Sequence, residues 1–297
     1  MKTIEITQPA STAAMYFGAL RGGAKKGATA QTLPALTLVR PTVTLAGAHL
    51  AQYAKVCGFT PAHGVPITYP QLLTFPLVMA FFALDECPWP AMGTVHLANR
   101  IVQHQALHAD DTLRVEVSTG ALLAHEKGQV FELDLRILRR DELVWRATQS
   151  LLRLGVKQPA GAIFGGHVRS DMPLSHQADF SAPANIGRRY GSVSGDRNPI
   201  HLWALSARLF GFRRAIAHGM WTHARALAAL LPREPLSQAE VAVDFKTPLF
   251  LPARASLWTR HQPSTSSDAG VLFEVRNSKG DKPHLRGQLT CHGSFLK

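Results

Sequence analysis

The chain has 297 residues, about twice an ordinary domain, so two domains or two repeats are expected; 46% hydrophobic and 18% charged residues exclude disorder across the whole of it. Lys and Arg outnumber Asp and Glu by 32 to 20, a net +12 that favours a polyanionic partner (phosphates, nucleic acid or an acidic carrier protein) without bearing on fold. Cys57, Cys87 and Cys291 are too few and too scattered for a disulfide scaffold or thiolate metal cluster, no run reaches the ~18 apolar residues of a membrane span, and MKTIEITQ is no export signal.

In chain order, residues 1–36 are weakly patterned, and Arg21–Thr32 (RGGAKKGATAQT) reads as a solvated loop in preference to a functional basic arm. The first long helix is predicted over Tyr69–Leu84, with Pro70 in its first turn and Pro76 kinking its middle. In Gln129–Leu138 the apolar Phe131, Leu133, Leu135 and Ile137 alternate with Glu132, Asp134 and Arg136, the period of a strand with one buried face. A turn at Arg139–Glu142 leads to a closing strand, Leu143–Leu154. Gly155–Ala184, punctuated by Pro159, Gly161, Gly165, Gly166, Pro173 and Pro183, separates two halves.

The second half repeats this order. Asn198 caps a helix opening at Pro199 and ending about three turns later at Gly211. A longer helix follows over Gly219–Leu231, with Met220, Ala224, Leu227, Ala228 and Leu231 at helical spacing. Val271, Phe273 and Val275 then alternate with Glu274 and Arg276, and a turn at Asn277–Asp281 precedes a strand over Leu285–His292. Tyr53-Ala-Lys-Val56-Cys-Gly58 aligns with Tyr190-Gly-Ser-Val193-Ser-Gly195 at an offset of 137. The predicted class is α+β, each half an antiparallel sheet around a long central helix, divided as 1–160 and 161–297.

The informative passage is Tyr190–Met220. Asp196 falls in the tight turn before the Asn198 cap and His201 in the first helical turn, so a carboxylate and an imidazole five residues apart converge on one small volume. Such a pair can hold one water between an acceptor and a second proton-transfer group. Downstream, His218-Gly219 opens the central helix, whose first N–H groups are unpaired at its positive end and suit a developing oxyanion; Gly lets a carbonyl come close. A Gly-Asp-x-Asn-Pro string is also good turn chemistry, and either residue alone is as readily structural; the two together with the His-Gly start, absent from the other repeat, favour a site.

Tyr190-Gly-Ser-Val-Ser-Gly195-Asp196-Arg-Asn198-Pro199-Ile-His201, extended through Ala217-His218-Gly219-Met220, resembles the hydratase-2 motif of MaoC-like dehydratases, the (R)-specific enoyl-CoA hydratases. The resemblance implies a double hot-dog fold and reversible syn hydration of trans-2-enoyl thioesters to (3R)-3-hydroxyacyl thioesters, with no metal or other cofactor. By motif position, Asp196 and His201 become the catalytic pair, Asn198 shapes the turn, and Gly219 donates its amide to the thioester oxyanion, with His218 beside it. Asp196 is expected to take a proton from water and His201 to orient that water and help protonate C2; which group is acid and which base stays open.

At the aligned positions of the first half Phe59 replaces Asp196, and 9 steps (59 to 68) stand where the second half has 22 (196 to 218), so the whole Asn-Pro-x-x-His helix is missing. That half is expected to be catalytically degenerate, a scaffold leaving room for a long acyl chain, with His63 a surface or turn residue. Arg208, Arg213, Arg214, Lys246 and Arg254 are candidate contacts for the phosphates of CoA or an acidic acyl carrier protein. No nucleic-acid module or phosphate loop appears, and His104/His108, the lone i,i+4 histidine pair, lacks a HExxH glutamate. The expected protein is cytoplasmic, acts on acyl-CoA or acyl-ACP in fatty-acid or related acyl metabolism, and has a homodimer as its possible assembly. A hot-dog thioesterase and a non-catalytic acyl-thioester or polyanion binder are the alternatives.

Overall fold

The structure, a computed structural model, describes residues 2–8, 32–168, 172–265 and 268–292. It resolves into two compact units that are each discontinuous in sequence: Met1–Leu45, Pro70–Ile101 and Asp110–Gly166 form the first, and Ala46–Tyr69, Val102–Ala109 and His167–Lys297 the second. These packing units cut the chain differently from the expected division at 160/161, because residues 46–69 pack with the later part of the chain.

In the first unit, β1 (Lys2–Glu5) pairs in parallel with β2 (Leu36–Thr44). The central helix α2 (Pro70–Ala83) lies on this sheet, which continues through β3 (Thr94–Gln103, whose last two residues belong to the other unit), β4 (Thr112–His125), β5 (Gly128–Arg139) and β6 (Glu142–Leu154) in the order β1-β2-β4-β5-β6-β3. A short β7 (Ala162–Ile163) pairs with β4. The predicted alternation holds: Phe131, Leu133, Leu135 and Ile137 are fully buried, each such burial stabilising by roughly 1.5–3 kcal/mol. Phe81 and Phe82 of α2 reach the Phe131 ring at 6.3 and 6.2 Å, and Trp89 stacks on it at 5.0 Å. The β5–β6 hairpin turns on Arg140 and Asp141, both left-handed, which matches the right-handed twist of the strands. α2 runs through Pro76 within one helical span.

The second unit contains α1 (Gly47–Cys57), a 3-10 turn at Pro61–His63, and β8 (Ser175–Ala182). It also holds α3 (Ile186–Ser194), α4 (Pro199–Leu202), α5 (Ala204–Arg208) and the central α6 (Gly219–Leu230). Its sheet is ordered β9-β12-β11-β10-β8, from β9 (Ala239–Phe245), β10 (Ala253–Thr265), β11 (Asp268–Asn277) and β12 (Pro283–His292). Helices α1 and α3 lie together: the Tyr53 and Tyr190 rings are 6.2 Å apart, and His49 Nε2–H donates to Val193 O at 2.8 Å while Nδ1 accepts from Tyr69 Oη at 2.9 Å. α6 buries more than a stripe, since Trp221, Thr222, His223 and Ala226 are inside as well as Ala224 and Leu227. Among the described residues no helix is long and apolar enough to cross a membrane.

Three expectations change. Lys2–Glu5 is a strand inside the weakly patterned residues 1–36, and a second strand starts at Leu36; most of Arg21–Thr32 lies outside the described residues. The segment between the halves carries β8, which pairs with β10 at the sheet edge, so its outer face needs no apolar alternation. The helix expected from Pro199 to Gly211 breaks into α4 and α5 at Trp203, which is extended (φ −143°, ψ 150°). There Arg188 Nη1 donates to Leu202 O at 3.0 Å and stacks its guanidinium 3.8 Å from the Trp203 ring centre, while Ser206 Oγ donates to Pro199 O. Gly211 does end α5, left-handed and closed by Gly211 N–H to Arg208 O and Phe212 N–H to Ala207 O.

Candidate active site

The site is built on α3. Its last turn closes at left-handed Gly195, and the chain then crosses back over the helix. A Cβ on Gly187 would lie 1.9 Å from His201 O and one on Gly191 2.8 Å from Asp196 O, so two glycines one turn apart let the motif's main chain rest directly on α3. At the aligned positions α1 carries Leu50 and Ala54, and no such segment follows it.

The turn itself is tied by its own side chains. Asp196 N–H donates to Ser194 Oγ at 3.1 Å, and Asp196 Oδ1 accepts Asn198 N–H at 3.1 Å. Asn198 Oδ1 in turn accepts Ile200 N–H at 3.3 Å, the predicted cap. That starts α4 and carries His201 into a buried position, where its Nδ1–H donates to Ile216 O at 2.8 Å; the same strand-like stretch returns Ile216 N–H to Ile200 O at 3.1 Å. Ile216 leads into His218 and α6. The Nε2–H of His218 donates to the main-chain O of Asp196 at 3.0 Å, and its ring lies nearly flat against His201, with centroids 3.7 Å apart at 27°.

Both imidazoles are neutral at pH 7. Burial pushes His201 below the ordinary histidine value against the pull of the Asp196 carboxylate, and burial with the His201 neighbour pushes His218 down to about 3. The 3.8 Å approach of His218 Nε2 to Asp196 Oδ2 is therefore not an ion pair at neutral pH. With Nδ1 of His201 committed as a donor, its Nε2 presents a lone pair. Ligand-type atoms of Asp196, His201 and His218 lie within 4.8 Å of one another, a spacing also open to a metal ion. One nitrogen of each ring is a donor to a carbonyl, and His201 Nε2, His218 Nδ1 and the carboxylate keep lone pairs.

Gly219 is the first residue of α6, so its N–H has no intrahelical acceptor. A Cβ there would meet the Phe245 ring at 2.7 Å, so the glycine is required by packing as well as by access. Arg208, Arg213, Arg214 and Arg254 are exposed. Arg208 Nε reaches Arg213 O at 3.5 Å, and Arg213 sits 4.4 Å over the Phe250 ring. Lys246 pairs with the buried Asp244 at 3.1 Å, whose carboxylate also accepts the His167 and Val168 N–H groups, so its charge is already matched. Beside the arginines Trp203, Leu205, Leu209 and Phe210 are exposed.

In the first repeat, Phe59 stands at the place of Asp196, buried against Tyr53 at 6.5 Å and edge-on to His63 at 5.4 Å. His63 is in a turn as expected but is buried, its Nδ1 tied to the Thr60 N–H. Sequence reasoning passed over Gly187 and Ile216 and gave no role to Tyr190, which packs on the His218 ring at 4.9 Å. Two glycines four apart in an amphipathic helix were the available signal for close approach.

Residues 168–281 match the MaoC like domain model. Over 258 residues, covering 85% of this chain and 88% of the relative, the sequence is 33% identical to 3-hydroxyacyl-thioester dehydratase X of Mycobacterium tuberculosis (strain ATCC 25618 / H37Rv). The chain belongs to the MaoC-like dehydratase family. The crystal structure of HtdX from Mycobacterium tuberculosis superposes on this MaoC-like protein with TM-score 0.70 at 30% identity, covering 85% of this chain and 98% of that one. A conserved hypothetical protein of the same organism, described as having a double hotdog fold, superposes at TM-score 0.58 and 14% identity over 92% of this chain and 99% of its own. The MaoC-like chain has the double hot-dog fold.

Proposed function

We propose that this protein catalyses the reversible hydration of trans-2-enoyl thioesters to (3R)-3-hydroxyacyl thioesters, using Asp196 and His201. Kinship with a 3-hydroxyacyl-thioester dehydratase supports the dehydratase reaction in acyl metabolism. The observation that carries the site is the locked tautomer of His201: Nδ1–H held by Ile216 O leaves Nε2 as the acceptor of an imidazole that has a ring nitrogen within 4.8 Å of an Asp196 carboxylate oxygen.

C3 of an enoyl thioester is electrophilic only through conjugation, so negative charge builds on the thioester oxygen as water attacks. One water donates to both acceptors. Its oxygen bonds to C3, its proton passes to the Asp196–His201 pair, and a proton from the pair goes to C2 on the same face, so that H and OH add with nothing left over. His201, neutral at the outset, begins as an acceptor and becomes a donor only after it has taken that proton. The Gly219 N–H at the positive end of α6 receives the oxyanion. Positioned acid–base groups contribute roughly 10²–10⁴-fold and an oxyanion donor roughly 10²–10³-fold.

In this reading 1–160 is the catalytically degenerate repeat and 161–297 the active one. The exposed Arg208, Arg213, Arg214 and Arg254 meet the phosphates of CoA or an acidic carrier, and Lys246 is assigned to Asp244 instead. Incubating the protein with enoyl-CoA substrates of graded length and resolving the product tests the proposal. A (3R)-3-hydroxyacyl product is expected; an (S) product, or free CoA released in place of hydration, refutes it.

A further inference from the structure

We propose that His218 is a positioning residue: its Nε2–H fixes the turn that aims the Asp196 carboxylate, and its ring backs His201. This rests on the hydratase reading of the same site. The sequence placed His218 with the oxyanion and substrate contacts because it precedes Gly219. The geometry assigns it elsewhere. Only 3% of the residue is exposed, and its Nε2 is spent on the Asp196 main-chain oxygen at 3.0 Å, spanning 22 residues of chain to join the N-terminus of α6 to the turn after α3. Its Nδ1 is buried with no hydrogen-bond partner among the described residues, so that side neither receives a proton from one of these groups nor passes one on. The ring stacks on His201 at 3.7 Å and packs against Tyr190 at 4.9 Å, the latter tilted at 48°.

The titratable groups facing His218 are Asp196, His201 and Tyr190. Burial raises Tyr190 well above the phenol range and holds both imidazoles down, so His218 serves as an uncharged N–H donor throughout the working range. A cation at this position would repel the proton that His201 has to accept. A neutral donor with a flat ring holds the turn without that conflict, which accounts for histidine in place of lysine or arginine here.

The test compares His218→Phe, which keeps a flat ring and removes the donor, with His218→Gln, which keeps an amide donor near the Nε2 position. For crotonyl-CoA hydration, kcat of His218→Phe is expected to fall by about 10²-fold with KM within a few-fold, because the carboxylate is displaced and not lost. Its kcat–pH profile should keep an acidic limb for His201, moved to lower pH as the Asp196 carboxylate loosens its support of the imidazolium. His218→Gln should recover most of kcat and return the limb toward its wild-type position. Equal loss in both variants with disappearance of the limb would make His218 a proton-transfer group and overturn the proposal. Unchanged kcat per folded molecule in both, with only thermal stability reduced, would make it merely structural.

A readout independent of turnover is 15N NMR of the imidazole in the wild-type protein. It should show Nε2 protonated, Nδ1 bare, and no titration above about pH 4; an Nδ1–H tautomer would refute the assignment even where the enzyme is active. If the wild type hydrates no enoyl thioester while the NMR result holds, the hydratase reading fails and the His218–Asp196 bond stands.

Discussion

Replacing Asp196 by Asn separates the chemistry of this side chain from its structural role. Oδ1 accepts the Asn198 N–H at 3.1 Å, and an asparagine can present its carbonyl oxygen to the same donor, so the turn, the Asn198 cap and the seat of His201 are preserved. What is lost is the charge and the second acceptor facing the water. A positioned acid–base group is worth roughly 10²–10⁴-fold, or about 2.7–5.5 kcal/mol of barrier at ~1.36 kcal/mol per decade. Stability should change by under about 1 kcal/mol, since the Asn198 N–H keeps an oxygen acceptor, neutral in place of charged. The assay is ultraviolet loss of the conjugated enoyl thioester, run beside thermal unfolding and with Asp196→Ala as a control that removes the acceptor too. Turnover within a few-fold of wild type in a folded Asp196→Asn protein would refute the role given to this carboxylate. Equal loss of stability in the Asn and Ala variants would show that the Oδ1 bond does not organise the turn.

Other outcomes follow from the same geometry. His218 goes from an ordinary histidine value of 6.5 to about 3 on folding, so below pH 6.5 the unfolded chain binds a proton that the folded one refuses; stability is full above that pH and falls as pH drops toward 3. At pH 5 this one group costs about 2 kcal/mol, His201 adds in the same direction, and denaturant midpoints at pH 7 and 5 that coincide would contradict the buried neutral pair. Gly187→Ala puts a methyl 1.9 Å from His201 O and should cost about 1–3 kcal/mol or more with a matching fall in kcat, checked by urea unfolding and kinetics. Reversing Arg208, Arg213 and Arg214 together to Glu should raise KM for CoA or carrier-protein thioesters by about tenfold at low salt with kcat kept. The difference should close at high ionic strength; an equal effect on uncharged pantetheine thioesters would remove these arginines from carrier recognition.

Much of the architecture was legible because it depends on local periodicity. The alternation in Phe131–Ile137 specified a strand with one face fully buried; Val271–Val275 was legible as a strand too, although there Leu272 and Glu274 on the other face are also buried. Asn198-Pro199 specified a capped helix start and Gly211 its stop, as short-range hydrogen bonds and a left-handed φ are set within a few residues. The motif resemblance carried the family and singled out Asp196 and His201 on residue identity alone. Tertiary packing decided the rest. Arg188, ten or more residues upstream, breaks the α4–α5 segment at Leu202–Trp203, and no local propensity announces it. The protonation of His201 depends on burial and on a carbonyl fifteen residues away, and the partner of His218 on how α6 meets the turn after α3. β1 and β8 escaped notice because edge strands need no clean alternation. Composition and spacing therefore determine which groups are available, while the direction of each lone pair and proton is set by contacts between segments distant in sequence, where burial and hydrogen bonding act together.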